Sequence, residues 1–309
     1  MDEKRLNEQL IELNKQYLSL LSSREYRLGE KLLKAKSAWK KMDLRAFGIG
    51  ILHSVAERKM KKLEGANRGF LTYHDDAEIP EKCVVYTCIA GDYDEILEPV
   101  YVPAGVEFRV VTNQPVPAGS CWKPLSLSQI SEITGLDDTR KARYVKTHPH
   151  VLFPQYEYSI WVDSNIRIVG DVTGLFRSLG NIPFASNWHP LRNCIYQEAK
   201  ACVLKGKEQK NILEIQTTKY SREGMPEKFG LVETNMLVRR HQDATCVQLM
   251  EDWWTEILKY SKRDQISLPY VIWKSGKQME DIGFIGMDIR QNPAVQVHIH
   301  KATYRCHMD

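Results

Sequence analysis

The sequence predicts an α/β domain with a mostly parallel sheet over residues 80–309, preceded by a basic helical arm over residues 1–70. Three observations carry this. From about residue 80, short β-branched apolar runs alternate with segments of helical period. Charge divides near the same place: residues 1–70 hold 16 Lys and Arg against 9 Asp and Glu, which leaves 27 against 30 for the remainder. Hydrophobic residues make up 43% of the chain, enough for a sizeable core, yet no apolar run approaches the roughly 18 residues of a membrane span.

Within the arm, Leu6, Leu10, Leu13, Tyr17 and Leu20 follow coiled-coil spacing for about two heptads. Basic residues then cluster around Trp39, Met42, Leu44, Phe47, Ile49 and Ile51. Two readings stand: a helical stalk that makes a homo-oligomer, and a basic amphipathic segment resting on an anionic membrane surface. Nucleic acid is not expected as a partner, because the remainder is slightly acidic and contains no recognised binding module. The first residues, "MDEKRLNEQL", lack the apolar stretch of a signal peptide. The expectation is a cytoplasmic protein, peripheral on the inner face of the plasma membrane if the arm binds lipid. Seven scattered cysteines with no CxxC pair point to reduced thiols, mostly in the core.

Along the domain, residues 83–90 and 106–112 read as strands. A helix opens at Asp137 or Asp138 as cap. "YSIWVDSNIRIVG", residues 158–170, reads as a buried strand that stops at Asp163 and resumes as an alternating one. Next come a helix near 172–179, a strand "IPFASN", and helices over 194–205 and 208–221. A strand "LVETNMLVRR" follows, then a long helix over 243–260 with Val247, Met250, Trp254 and Ile257 on one stripe. A helix after "RDQ" and a strand "AVQVHIH" complete the domain. There is no GxGxxG and no GxxxxGK[ST], so the usual phosphate cradles are absent.

Residues i and i+2 of an extended chain face the same way, so Asp163 and Asn165 can aim oxygens at one spot beyond the sheet. Hard divalent cations such as Mn2+ or Mg2+ take such ligands and leave positions open for phosphates. The ordinary alternative is a turn at a strand end. "VQVHIHK" alternates so that Gln296, His298 and His300 share a face, and His298 or His300 can supply a nitrogen ligand; two exposed histidines on an edge strand are the alternative. In "GLVETNMLVRR", Glu233 and Asn235 fall on one side of a strand and Val232 and Thr234 on the other.

Taken in order, "VVYTCIAGDYD", "DDTRKARYVKTHPHVLFPQYEYSIWVDSNIRI", "NWHPLRNCIYQEAKAC", "GLVETNMLVRRH" and "RDQISLPYVIWK" resemble the successive blocks of the TOD/MUCI-type hexosyltransferase-like family. The resemblance spans about residues 83–275. It implies a GT-A fold, a Rossmann-like mixed sheet with flanking helices, and a metal-dependent glycosyltransferase. Such an enzyme moves a hexose from a nucleotide-diphosphate sugar to a glycan or lipid-linked acceptor, here in surface polysaccharide synthesis. Carried onto this chain, it puts Thr87, Ala90, Gly91, Asp92 and Tyr93 against base and ribose, and Arg143 and Lys146, with Arg140 less favoured, at the diphosphate. Asp163, Ser164 and Asn165 form the DxD-like segment, with Asn where an acid is usual. Asn235 joins the donor site. Asp264 and Glu233 are the candidate catalytic acids, and His189 and Arg192 are rim residues. A non-catalytic glycan-binding or scaffold module on the same fold is the alternative, favoured by Asn165. A nucleotidyltransferase is disfavoured, because "TCIAGDYD" has one glycine and two acids where such enzymes carry a basic Gly-rich loop.

Overall fold

Strand β1 (Cys83–Ile89) is apolar on both faces and buried throughout, the pattern of a central parallel strand. The computed structural model describes residues 82–301; the arm over residues 1–70, with its coiled-coil and membrane-surface readings, lies outside them. β1 pairs in parallel with β2 (Val106–Thr112) and with β4 (Tyr158–Val162), and β2 pairs with β3 (Trp122–Leu125). Beyond β4 the sheet continues through β7 (Val232–Arg240), β6 (Phe184–Trp188) and β8 (Gly283–Gly286), giving the order β3-β2-β1-β4-β7-β6-β8. β7 runs antiparallel to both its neighbours, while β6 and β8 are parallel to each other. The expected α/β domain with a mixed, mostly parallel sheet is therefore present.

Alternation along the strands fills a core on each face. Val84, Tyr86 and Trp161 pack with Trp253 and Ile266 on one side, and Val85, Ile160 and Val162 pack with Phe176 on the other. Helix α1 (Asp138–Thr147) starts where Asp137 accepts the Arg140 N–H, and it stops just before Pro149, the first residue of the short α2 (Pro149–Leu152). Next are α3 (Thr173–Leu179), α4 (Ile195–Leu204) and α5 (Lys210–Arg222). Asp243 caps α6 (Ala244–Lys259), and α7 (Asp264–Lys274) follows.

Two expectations need correction and a third, the strand that resumes after Asp163, is met in a different place. The buried stripe of α6 is Cys246, Leu249, Met250, Trp253 and Ile257, so Val247 and Trp254 are its half-buried flanks. The strand that resumes after Asp163 leaves the main sheet: β5 (Ile166–Ile168) pairs only with β9 (Val295–Val297) in a separate two-stranded ribbon. β9 ends at Val297 because β5 offers three residues of pairing, so His298 and His300 are not presented side by side on a strand. β3 and β8 were not legible: each has four residues, β3 is an edge strand containing Pro124, and β8 begins and ends in glycine.

Candidate active site

β1 and β4 are parallel neighbours, so their carboxyl ends open on one edge of the sheet. The chain leaves β1 toward β2 and β3 and returns to lay β4 on the other side. The crevice between those two ends is where open α/β sheets bind ligands. From β1 it receives Thr87, buried with Oγ1 unpartnered, Ala90, Gly91, Asp92 and the half-exposed Tyr93. Gly91 has φ +62°, a conformation that favours glycine, and a Cβ there would stand 2.6 Å from Asp138 Oδ2, so the loop lies close against the first turn of α1.

From β4 comes Asp163, whose Oδ1 accepts from Trp161 Nε1 (2.8 Å) and lies 3.0 Å from Lys146 Nζ. Lys146 is fully buried and also donates to Asp264 Oδ2 at 2.8 Å. Thr234 Oγ1 donates to the same oxygen, and Arg143 lies 3.3 Å from Asp264 Oδ1. Burial alone would raise the Asp264 carboxyl, but Arg143, Lys146 and Arg263 together hold it well below the usual carboxylate range. A carboxylate so held fixes cations and is a poor proton acceptor. Arg140, by contrast, is spent on Asp137 (2.8 Å) and the Tyr260 carbonyl (2.9 Å).

Arg263 is a site residue that sequence reasoning missed, although it stands beside Asp264 in "RDQ". Its Nε and that of Arg143 are both buried without a hydrogen-bond partner. The two guanidiniums also meet electrostatically at Tyr93, whose hydroxyl is pushed up by burial and Asp94 and drawn down by Arg143 and Arg263. Both guanidiniums therefore place positive charge near the loop that follows β1, while Arg263 also bonds Cys202.

Asp94, the last residue of "VVYTCIAGDYD", was given no role by sequence reasoning. It is buried, accepts from Lys301 N (3.0 Å), lies 2.7 Å from His300 Nδ1, and takes a short hydrogen bond from Ser164 Oγ. Ser164 and His300 thus belong to a latch that ties residues 300–301 to the β1 loop. His298 goes elsewhere: its N–H donates to the Asn165 carbonyl (2.7 Å), Asn165 Nδ2 donates back to the His298 carbonyl (2.7 Å), and His298 Nε2 is buried with no partner.

As a test of cation fit, Asp163 offers a carboxylate and His298 an orphaned imidazole nitrogen, a donor pair suited to Mn2+. Asn235 adds a buried Oδ1 without a partner. Among the described residues, no group of three or more His, Cys, Asp or Glu is arranged to hold a metal.

Glu233 lies apart from Asp264. A bulge opposite Ser186 and Asn187 interrupts β7; Thr234 points to Asp264, whereas Glu233 meets Arg290 NH1 (3.2 Å) and, more loosely, Asn235 Nδ2 (3.5 Å). Burial raises the Glu233 carboxyl above its ordinary value despite Arg290. His189 accepts the Leu191 and Arg192 N–H groups on Nδ1 (3.2 and 3.1 Å), and Arg192 pairs with buried Glu198. Both read as structure around the 189–192 turn.

The family profile described as "TOD1/MUCI70, glycosyltransferase-like domain" matches residues 120–298. "Probable hexosyltransferase MUCI70" of Arabidopsis thaliana is 27% identical over 150 residues, 44% of this chain and 25% of that protein, so the chain spans about a quarter of that relative. Among solved structures, a WbbM bifunctional glycosyltransferase in its apo state is 12% identical with a TM-score of 0.39, over 70% of this chain and 40% of that one. Mouse xyloside xylosyltransferase 1 is 8% identical with a TM-score of 0.38, over 66% and 84%. Among the described residues, no helix is long and apolar enough to cross a membrane.

Proposed function

Because the chain belongs to the TOD1/MUCI70 glycosyltransferase-like domain family, we propose that it transfers a hexose from a nucleotide-diphosphate sugar to a hydroxyl of a glycan or lipid-linked acceptor, on a GT-A type fold and in surface polysaccharide synthesis. One observation carries the reading: Arg143 and Arg263, each with a buried unpartnered Nε, flank Asp264 beside the switch-point crevice. As the bond from the sugar carbon to the diphosphate breaks, negative charge grows on the leaving phosphate, and fixed guanidiniums stabilise it without reorganising. Asp264 keeps Arg143 and Lys146 in place for that task. Asp163 and His298, with Asn165 or Asn235, would hold a divalent cation, which when bound supplies further neutralisation of the diphosphate.

Glu233 rather than Asp264 is the base that takes the acceptor proton if transfer inverts configuration, because its carboxyl is shifted toward neutrality. If transfer retains configuration, a donor phosphate oxygen takes the proton and no side-chain base is required. The non-catalytic module is the second reading, and the specific observation in its favour is that Asn165 spends its amide on the His298 carbonyl.

Thermal stabilisation and donor hydrolysis with a panel of nucleotide sugars, with and without Mn2+, separate the two. The enzyme reading expects stabilisation and slow hydrolysis by at least one donor with metal, and loss of both in Asp163→Ala. Glycan binding with no response to any donor would leave the module reading.

A further inference from the structure

We propose that Arg239, assisted by Tyr86, is a positioning residue for the diphosphate site: it fixes the backbone of Lys146, and through it the ammonium that Asp163 and Asp264 share. This rests on the nucleotide-sugar reading above and goes further by giving a task to a core charge outside the crevice.

Arg239, on β7, is fully buried, and among the described residues no carboxylate pairs with it. A buried charge without a counter-ion is costly unless other polar groups compensate it. Here the compensation converges on one carbonyl. Nη1 donates to the Lys146 carbonyl at 2.6 Å, and Nη2 makes a short hydrogen bond to the Tyr86 hydroxyl, which itself donates to the same carbonyl at 2.9 Å. Burial pushes the Tyr86 hydroxyl above its ordinary range, so it keeps its proton and is no counter-ion. Its ring lies beneath the guanidinium, 5.5 Å from centroid to Cζ. Nε is buried with no partner. Apart from a 3.5 Å contact of Nη1 with Met250 Sδ, the hydrogen bonds of this cation serve the Lys146 carbonyl, directly or through Tyr86.

That carbonyl needs donors because α1 ends at Thr147. The last carbonyls of a helix have no intrahelical N–H partner, and Pro149 removes one N–H from the following residues. The carboxyl end of a helix also carries partial negative charge, which a cation there offsets. β1, β4 and β7 are adjacent in that order, so Arg239 reaches past β4 to Tyr86 on β1 and ties two strands to the end of the helix. The residue held in this way is the one whose Nζ lies 3.0 Å from Asp163 and 2.8 Å from Asp264, and Arg143 stands three residues earlier on the same helix. A shift of the carbonyl would carry both cations with it, and a charged site tolerates little displacement.

The test uses the full chain and two readouts. The first, which needs no ligand, is solvent exchange of the Lys146 ammonium hydrogens followed by NMR while the backbone amides of β1 stay protected. Exchange should be about tenfold or more faster in Arg239→Gln and in Tyr86→Phe than in the unaltered protein. Arg239→Lys, which keeps a cation for the carbonyl, should restore most of the difference. The second is calorimetric titration with UDP and GDP against uridine and guanosine. Arg239→Gln should weaken the better-bound diphosphate about tenfold and leave its nucleoside little changed. If Arg239→Gln does not fold, Tyr86→Phe, which retains the arginine and the ring, carries both readouts. Unchanged ammonium exchange in the folded variants, or equal losses for diphosphate and nucleoside, would mean that Arg239 supports the fold alone and overturns the proposal. Faster exchange in a protein that binds none of the four compounds keeps the coupling of Arg239 to Lys146 and overturns the nucleotide-sugar reading instead.

Discussion

Asp163 and Asp264 share one buried ammonium: Lys146 Nζ lies 3.0 Å from the first and 2.8 Å from the second, beneath the crevice where β1 and β4 end. The lysine joins the end of a core strand to the start of α7, and removing it leaves a fully buried carboxylate short of one of its cations, with Arg143 and Thr234 as the close partners that remain. Breaking such a pair from one side costs about 3–5 kcal/mol, more than the pair itself is worth. Lys146→Met is therefore expected to lose stability of that order in urea denaturation. Adding Asp264→Asn should recover part of the loss. A single variant within about 1 kcal/mol of the parent, a change typical of surface sites, would remove the bridge from the account of the site.

The guanidiniums make a different prediction, because their Nε groups have no protein partner to lose. Arg143→Gln and Arg263→Gln should each weaken nucleoside diphosphate binding about tenfold or more, as expected for losing a charge-assisted hydrogen bond. Binding of the matching nucleoside should change little. Equal losses for both ligands in calorimetry would mean that the arginines support the fold rather than the phosphates.

His298 and His300 part company in the structure, and metal titration should separate them. His298→Ala is expected to raise the Mn2+ concentration needed for thermal stabilisation by about tenfold or more. His300→Ala should leave that concentration unchanged and instead speed amide exchange near residues 298–301, since His300 is paired with Asp94. The reverse pattern would exchange their roles.

Buried histidines contribute to the response to acid. Burial pulls His189 and His241 down to about 4, and His189 is also committed as an acceptor of two backbone N–H groups. A histidine with a folded pKa below its unfolded value of about 6.5 must take up its proton on unfolding before it does so when folded. The stability it contributes is therefore present above pH ~6.5 and lost as pH falls toward 4, by up to about 3 kcal/mol per group. Urea denaturation between pH 7 and 4.5 should show this decline, and His189→Asn, which keeps an acceptor, should lessen it. A flat profile would show that the buried imidazoles titrate normally.

Much of the framework is written in local sequence. "CVVYTCI" and "YSIWV" could only be buried strands, and Asp163 at the end of the second announces a polar site at the sheet edge, because burial period and strand length are properties of adjacent residues. The caps Asp137 and Asp243 are local in the same sense. What the tertiary structure decided is which groups meet. Lys146 finds Asp264, Thr234 is set against it while Glu233 turns to Arg290, and His300 is claimed by Asp94. Each pairing joins separate elements across a loop, a bulge or a neighbouring strand. Their partners depend on chain crossings and on a register shift in β7, and no local periodicity encodes either.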